Sequence, residues 1–276
     1  MRGIGHAPPI CMTVAGSDPS GGAGLQADLK TFHAHGVFGT SAVTLLTVQN
    51  TRGVTAVELV DEDLVVAQMR AVLDDLEPAA IKTGALGSAG MVRRVAEVLR
   101  DHRARHPGVR IVVDPVLVSK HGHALADDAT AEALRRFLLP WADATTPNAH
   151  ELSRLAEREF APTDEATMVA VARELQVFGP AVVAKSPATG IDGRSVDLLV
   201  TADDVRRFEA PTLDTTSRHG SGCAFAAAIT ARLAFGDALP DAVRRAKAWV
   251  HAAIEQAPRI GHGTGPLRLD VPVPSE

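Results

Sequence analysis

The residues best suited to chemistry lie in loops, and the sharpest of them is Asp214-Thr215-Thr216-Ser217-Arg218-His219-Gly220-Ser221-Gly222-Cys223. It opens an alanine-rich stretch, 224–234, that reads as a helix. Gly220, Ser221 and Gly222 turn successive backbone N–H groups outward at the positive end of that helix, which makes an anion hole suited to charge on a transferring phosphoryl group. Cys223 falls in the first helical turn, where the dipole is expected to lower a thiol pKa and let a thiolate take a proton from a hydroxyl. The alternative is a small buried hydrophobe on an Ala-rich helix. A second loop, Ala15-Gly16-Ser17-Asp18-Pro19-Ser20-Gly21-Gly22-Ala23-Gly24, holds four glycines in ten residues. It lets a ligand approach the backbone closely, or it is only a tight turn from strand to helix. It is neither a Walker A loop nor a good dinucleotide fingerprint. Asp28 lies one turn into the helix that follows.

Three further loops carry polar groups at the ends of apolar runs. In Thr47-Val48-Gln49-Asn50-Thr51-Arg52-Gly53 the Gln49 amide can donate and accept toward one heterocycle edge, or Asn50 merely stabilises a turn. In Val112-Val113-Asp114-Pro115-Val116 the Asp114 carboxylate ends a hydrophobic strand and needs a metal, a cation or amide donors there. In Thr146-Pro147-Asn148-Ala149-His150-Glu151, Glu151 stands three residues after Asn148, as in a capping box. Asp114, Asn148 and Glu151 together offer oxygen ligands at one sheet edge, which suits a water-rich Mg²⁺ site bridging phosphates.

Elements of alternating type must hold these loops. Short β-branched runs at 10–15, 42–48, 79–81, 109–113 and 181–184 read as buried parallel strands. Amphipathic stretches between them read as helices. One carries Leu25, Leu29 and Phe32 and stops at Gly36; another, with Met69 and Leu73, is capped by Asp61 or Asp63. Others cover 88–105, 130–139, 150–156, 165–178, 222–235 and 241–256. Segments 197–200 and 205–208 follow one another without a helix and predict an antiparallel edge. The expectation is one α/β domain over residues 1–276, a three-layer arrangement of a mostly parallel central sheet with helices on both faces, and a frayed tail at about 270–276. In such sheets ligands bind beyond the carboxyl ends of the strands.

Composition narrows the function. With 28 Lys+Arg against 33 Asp+Glu the net charge is −5, and no basic run occurs, so nucleic acid is an unsuitable main partner. Charged residues at 22% and hydrophobic ones at 46% fit a globular chain. Two distant cysteines fit a reducing compartment, Pro8 and Pro9 interrupt any signal-peptide core, and no run nears the ~18 apolar residues of a membrane span. A soluble cytoplasmic protein with small-molecule partners is expected.

Taken together, these motifs resemble a known family. Gly16 through Phe32 (Gly-Ser-Asp-Pro-Ser-Gly-Gly-Ala-Gly-Leu-Gln-Ala-Asp-Leu-Lys-Thr-Phe) is similar to the signature of hydroxymethylpyrimidine/phosphomethylpyrimidine kinases, of the ribokinase superfamily. Val48-Gln49-Asn50-Thr51-Arg52-Gly53, Asp114-Pro115-Val116, Thr146-Pro147-Asn148 with Glu151, His219-Gly220-Ser221-Gly222-Cys223 and Gly261-His262-Gly263-Thr264-Gly265-Pro266 follow in the family's order, over nearly the whole chain. The resemblance implies a ribokinase-like fold and an ATP-dependent kinase of thiamine biosynthesis. Such an enzyme phosphorylates 4-amino-5-hydroxymethyl-2-methylpyrimidine and then its monophosphate, with Mg²⁺, as a homodimer. It also implies roles for single residues. Gln49 reads the ring, with Asp28, Gly16, Val116 and Ala85 around it; Cys223 is the base beside the Gly220, Ser221 and Gly222 anion hole. Asp114 and Glu151 hold the metal, Asn148, Lys185, Lys120 and His219 lie toward ATP, and residues 119–123 belong to a lid.

The sequence departs from the family pattern in places. Lys82-Thr83-Gly84-Ala85-Leu86 stands where the family carries Lys-Ile-Gly-Met-Leu, which enlarges the pocket. Lys185-Ser186-Pro187-Ala188 replaces Lys-Gly-Gly-His, Ser221 a threonine and Arg218 an asparagine. The larger pocket keeps a pyridoxal kinase as the alternative. A non-catalytic vitamin-precursor-binding protein is the alternative from another class.

Overall fold

The computed structural model describes residues 7–117, 127–187 and 190–274. In chain order the elements are β1 (Ile10–Ser17), α1 (Gly24–Ala34), β2 (Phe38–Asn50), β3 (Gly53–Leu59), α2 (Glu62–Leu76), β4 (Ala80–Thr83), α3 (Ala89–Arg105) and β5 (Arg110–Val113). Then come α4 (Asp128–Ala133), β6 (Ala144–Thr145), α5 (Ala149–Leu155), α6 (Glu165–Leu175), β7 (Ala181–Ala184), β8 (Arg194–Val200), β9 (Val205–Pro211), α7 (Ser221–Ala234) and α8 (Leu239–Glu255). Among the described residues the strands form one sheet ordered β3-β2-β1-β4-β5-β6-β7-β8-β9. From β2 to β7 neighbours run parallel. β8 and β9 form the antiparallel edge that 197–208 predicted.

The layers follow from alternation along the strands. Ile111, Val113, Val182 and Ala184 point to one face, packed against Met69 and Leu73 of α2, Val95 and Leu99 of α3, and Met168 and Leu175 of α6. Val112, Val183 and Leu199 point to the other, against Phe225 and Ile229 of α7 and Trp249 of α8. A strand period of two therefore feeds two helical layers, each through a helical stripe. Side-chain caps fix where helices start: Asp61 on α2, Ser88 on α3, Asp127 on α4 and Asp164 on α6. Of the two candidates at 61 and 63, it is Asp61 that caps.

Three differences from the sequence expectation have physical reasons. The loop holding Gln49 is the end of a longer β2, which pairs antiparallel with β3 around a tight Asn50 to Gly53 turn. β3 lies almost wholly exposed, so it lacks the buried apolar run that marks the other strands. Helix 130–139 begins at Asp128 and widens into a π turn (Leu134–Leu138) before a 3₁₀ turn (Leu139–Trp141). The tail is not frayed where it is described: Val271 is buried and its carbonyl accepts the Trp249 indole N–H at 3.1 Å.

Candidate active site

A cavity of about 730 Å³ opens along the carboxyl ends of β1, β4, β5 and β7. The hairpin of β2 and β3 flanks one end, and α8 with the β9 end flanks the other. Gly16, Gln49, Ala85, Val116, Asp114, Asn148, Glu151, Lys185, His219, Gly220, Ser221, Gly222 and Cys223 all reach its wall. The topology thus gathers groups up to about 200 residues apart at one sheet edge, as open α/β sheets do.

Two glycine-rich loops meet backbone to backbone at the centre. Gly220 has φ 79°, and a Cβ there would stand 1.8 Å from the Gly22 carbonyl oxygen, so this contact admits no side chain. α7 starts at Ser221 with no side-chain cap; the Ser221 N–H donates to the Arg218 carbonyl at 3.3 Å, and Gly222 and Cys223 follow it in the first turn on the cavity wall. The Lys185 ammonium lies beside Gly222, within 3.1 Å of where a Cβ would be. Cys223 sits in this first turn, and the helix end alone predicted a depressed thiol. The structure reverses that: burial pushes the Cys223 thiol up to about 12, against the pull of Lys82, with the Asp114 and Asp28 carboxylates adding to the rise. The Gly24 N–H acts in the lowering direction only weakly. Desolvation outweighs the dipole here.

At the end of the cavity near Gln49, Asp18 organises the first loop. Its Oδ1 accepts the N–H and hydroxyl of Ser20 at 2.9 and 2.7 Å, and its Oδ2 accepts the Ala23 N–H at 2.8 Å. His219 Nε2 lies 2.7 Å from the same Oδ2. Burial works to raise the Asp18 carboxyl, but the hydrogen bonds from His219 and Ser20 hold it at about 2. His219, expected toward ATP, contacts the Gln49 amide at 3.1 Å and so stands beside the residue expected to read the ring.

Asp28 also departs from its expected place. It is fully buried behind the wall, accepting from Thr13 Oγ1 at 2.6 Å and from Lys82 Nζ at 2.9 Å. It does not line the cavity; Lys82 does. The reason is position: one turn into α1, the side chain faces the sheet. Burial raises the Asp28 carboxyl against Lys82 and Thr13.

The other end carries the charge cluster. Asp114 Oδ1 accepts from Lys185 Nζ at 3.1 Å and from Thr146 Oγ1 at 2.9 Å. Burial opposes, yet Lys185 and Lys82 hold the Asp114 carboxyl low. Asn148 and Glu151 form the capping box of α5: the Asn148 N–H meets Glu151 Oε2 at 2.8 Å and the Glu151 N–H meets Asn148 Oδ1 at 2.9 Å. The box and a cavity-facing carboxylate coexist, because Glu151 is buried beside Lys185 as well. Burial first, then the Asp114 charge, pushes Glu151 up to about 7 against Lys185. Among the described residues no three acidic, His or Cys groups cluster as a ready metal cage. The two buried carboxylates, with Lys185 beside both, offer oxygens that would hold a hydrated Mg²⁺ taking its remaining ligands from water and phosphate. Lys120 and the expected lid at 119–123 lie outside the described residues.

Sequence reasoning missed two groups. Lys82 is the one charge in a four-residue strand buried throughout, and that incongruity was its signal. Lys247 and Asp197 pair at 2.8 Å at the far end of the cavity, and Asp197 Oδ1 accepts the Ser186 N–H at 3.0 Å. That bond pins the loop whose Ser186-Pro187 replaces the family's glycines. Nothing in the spacing of 197 and 247 announces the pair.

Comparison with known proteins gives the family. Residues 18–268 match the family model of phosphomethylpyrimidine kinase. A hydroxymethylpyrimidine/phosphomethylpyrimidine kinase from Rhizobium meliloti is 43% identical over 94% of this chain and 96% of its own. The pyridoxal kinase from Staphylococcus aureus in complex with AMP-PCP and pyridoxal superposes with TM-score 0.86 at 31% identity, over 96% of this chain and 94% of that one. A phosphomethylpyrimidine kinase from Clostridium difficile 630 superposes with TM-score 0.76 at 35% identity, over 89% and 99%.

Proposed function

The chain belongs to the phosphomethylpyrimidine kinase family, and from that premise we propose that it transfers phosphate from ATP first to 4-amino-5-hydroxymethyl-2-methylpyrimidine and then to the resulting monophosphate. The observation that carries this reading is one continuous cavity with Gln49 and His219 at one end, Lys247 and Asp197 at the other, and the Gly220 to Cys223 turn between them. It offers a heterocycle edge and a nucleotide room on the two sides of one anion hole. A protein that only bound the precursor would need neither the uncapped α7 end nor the Asp114 and Lys185 pair.

Phosphoryl transfer is mostly positioning and charge stabilisation. The α7 N–H groups and Lys185 would hold the phosphoryl oxygens in place. Asp114 and Glu151 would hold Mg²⁺, which supplies neutralising charge on the phosphates. In the first transfer the acceptor is a hydroxyl, and Cys223 takes its proton. A thiolate whose thiol stands at about 12 is scarce at neutral pH but strongly basic when formed. In the second transfer the acceptor is a phosphate oxygen, already ionised, and no base is needed.

The same reading includes a cytoplasmic location, consistent with two free cysteines, and a homodimer. No described helix is long and apolar enough to cross a membrane. Ala85 on the cavity wall favours pyridoxal as the second reading, because it leaves room beside the ring. Purified protein with ATP and, separately, hydroxymethylpyrimidine, its monophosphate or pyridoxal, with products resolved by mass, tests both. Pyrimidine diphosphate is expected; product from pyridoxal alone would replace the first reading by the second.

A further inference from the structure

Gln49 presents an amide to the cavity, and an amide can face a ligand in two ways related by a half-turn. The proton inventory around it permits one. Asp18 is an ionised carboxylate and only accepts, so the His219 Nε2 that lies 2.7 Å from its Oδ2 must carry the hydrogen. A ring nitrogen that donates cannot also accept from an amide N–H. Gln49 therefore turns its carbonyl oxygen, not its NH₂, to the Nε2 contact at 3.1 Å. Thr47 gives the same answer from the other side. Its Oγ1 lies 2.9 Å from the Ser17 carbonyl oxygen, which only accepts, so the single hydroxyl hydrogen goes there. The second Thr47 contact, 3.2 Å to the Gln49 amide, is then filled by Gln49 NH₂ donating to Oγ1.

The frame around this trio is closed. The His219 N–H donates to the Gly265 carbonyl at 3.0 Å, and His219 pairs in parallel with Pro266. The same strap holds the hairpin that carries Gln49: the Thr264 N–H meets the Thr51 carbonyl at 2.8 Å and the His262 N–H meets Thr51 Oγ1 at 3.2 Å. The imidazole is seated so tightly on Gly22 that a Cβ there would stand 2.5 Å from its ring.

Resting on the proposed pyrimidine kinase reading, we propose that Asp18 and His219, with Thr47, lock the Gln49 amide in one orientation and thereby set substrate choice. Asp18 and His219 are positioning residues acting through Gln49. The locked amide keeps one N–H and one carbonyl lone pair for the ligand. These complement the ring nitrogen and exocyclic amine of a 4-aminopyrimidine. A hydroxypyridine aldehyde presents oxygen acceptors along the corresponding edge, and one of them is opposed by the Gln49 carbonyl. An unlocked amide swings its NH₂ onto whichever ligand atom accepts.

The test compares His219→Phe, which keeps a ring but has no N–H, with His219→Gln, whose side-chain NH₂ can again donate to Asp18 and to the Gln49 carbonyl. The readout is kcat/KM for hydroxymethylpyrimidine over that for pyridoxal, with a competitive inhibition constant for pyridoxal where its turnover is too slow. His219→Phe is expected to lower this ratio by about tenfold, the loss falling on the KM for the pyrimidine, while His219→Gln retains the wild-type ratio to within about threefold. Thr47→Val, at the other end of the amide, is expected to shift the ratio the same way by about threefold, and serves if His219→Phe does not fold. An unchanged ratio in His219→Phe and Thr47→Val, an equal loss on both substrates, or a loss carried by the KM for ATP would overturn the lock. Failure of the pyrimidine kinase reading would show separately, as absent pyrimidine turnover in the wild-type protein, and the lock would fall with it.

Discussion

Two Asp–Lys pairs lie within electrostatic reach of Cys223, and they differ in access. Asp28 with Lys82 is sealed, both side chains fully buried, and a third partner, Thr13, comes from the neighbouring strand. Asp114 with Lys185 lies on the cavity wall, where Lys185 keeps 13% exposure. In the first pair only Lys82 reaches the cavity wall, with no exposed surface, and the pair sets a fixed charge near the thiol. The second, in the proposed reaction, would exchange partners when phosphates arrive. The same two residue types thus serve as frame in one place and as machinery in the other, and access decides which.

The largest effect expected from breaking this comparison is at the open pair. Asp114→Ala should lower kcat in both transfers by about 10³-fold, measured by steady-state assay on each substrate. Restoring neutrality with Lys185→Met in the same chain should not recover it, because the groups act on the phosphates. The sealed pair should behave oppositely. Lys82→Met strands a buried carboxylate and should cost about 3–5 kcal/mol, a fall in Tm of roughly 10 °C. Adding Asp28→Leu should return most of that stability, since two apolar groups replace a desolvated pair. A Lys82→Met protein as stable as wild type would contradict the sealed-frame account.

A smaller effect separates the carboxylates by pH. Glu151 stands at about 7 in the folded protein against an ordinary 4.5. A carboxyl raised on folding stabilises when protonated, so this contribution is full below pH 4.5 and is lost as pH rises through 7. Tm should decline by a few degrees across that window, and Glu151→Gln should flatten the decline. Asp114, held low, works in the opposite sense at more acid pH.

These contrasts also show what the sequence could reveal. The sheet and its helical layers were legible because burial on both faces writes continuous apolar runs into strands 10–15 and 109–113. The two glycine loops were legible because close backbone contact excludes side chains, as at Gly220. β3 was not, since an exposed edge strand carries no apolar signature. The family resemblance puts Asp28 in the pocket wall; only the fold shows that it lies buried against Lys82, which lines the cavity in its place. His219 adjoins the anion loop in sequence, yet its ring turns to Asp18, some two hundred residues earlier. The thiol of Cys223 was misjudged because a helix end is visible in sequence and desolvation is not.

The account stands or falls most directly on Cys223. Wild type and Cys223→Ala should be compared in rapid-quench assays of each transfer between pH 7 and 9. Because the thiol lies at about 12, kcat/KM for the first phosphorylation should climb with pH toward tenfold per unit in wild type and lose that slope in the variant. The variant should lose about 10²-fold in the first transfer and far less in the second, which should stay nearly level with pH in both proteins. Equal losses in the two transfers, or a first-step profile level with pH in wild type, would contradict the division of roles drawn from this site.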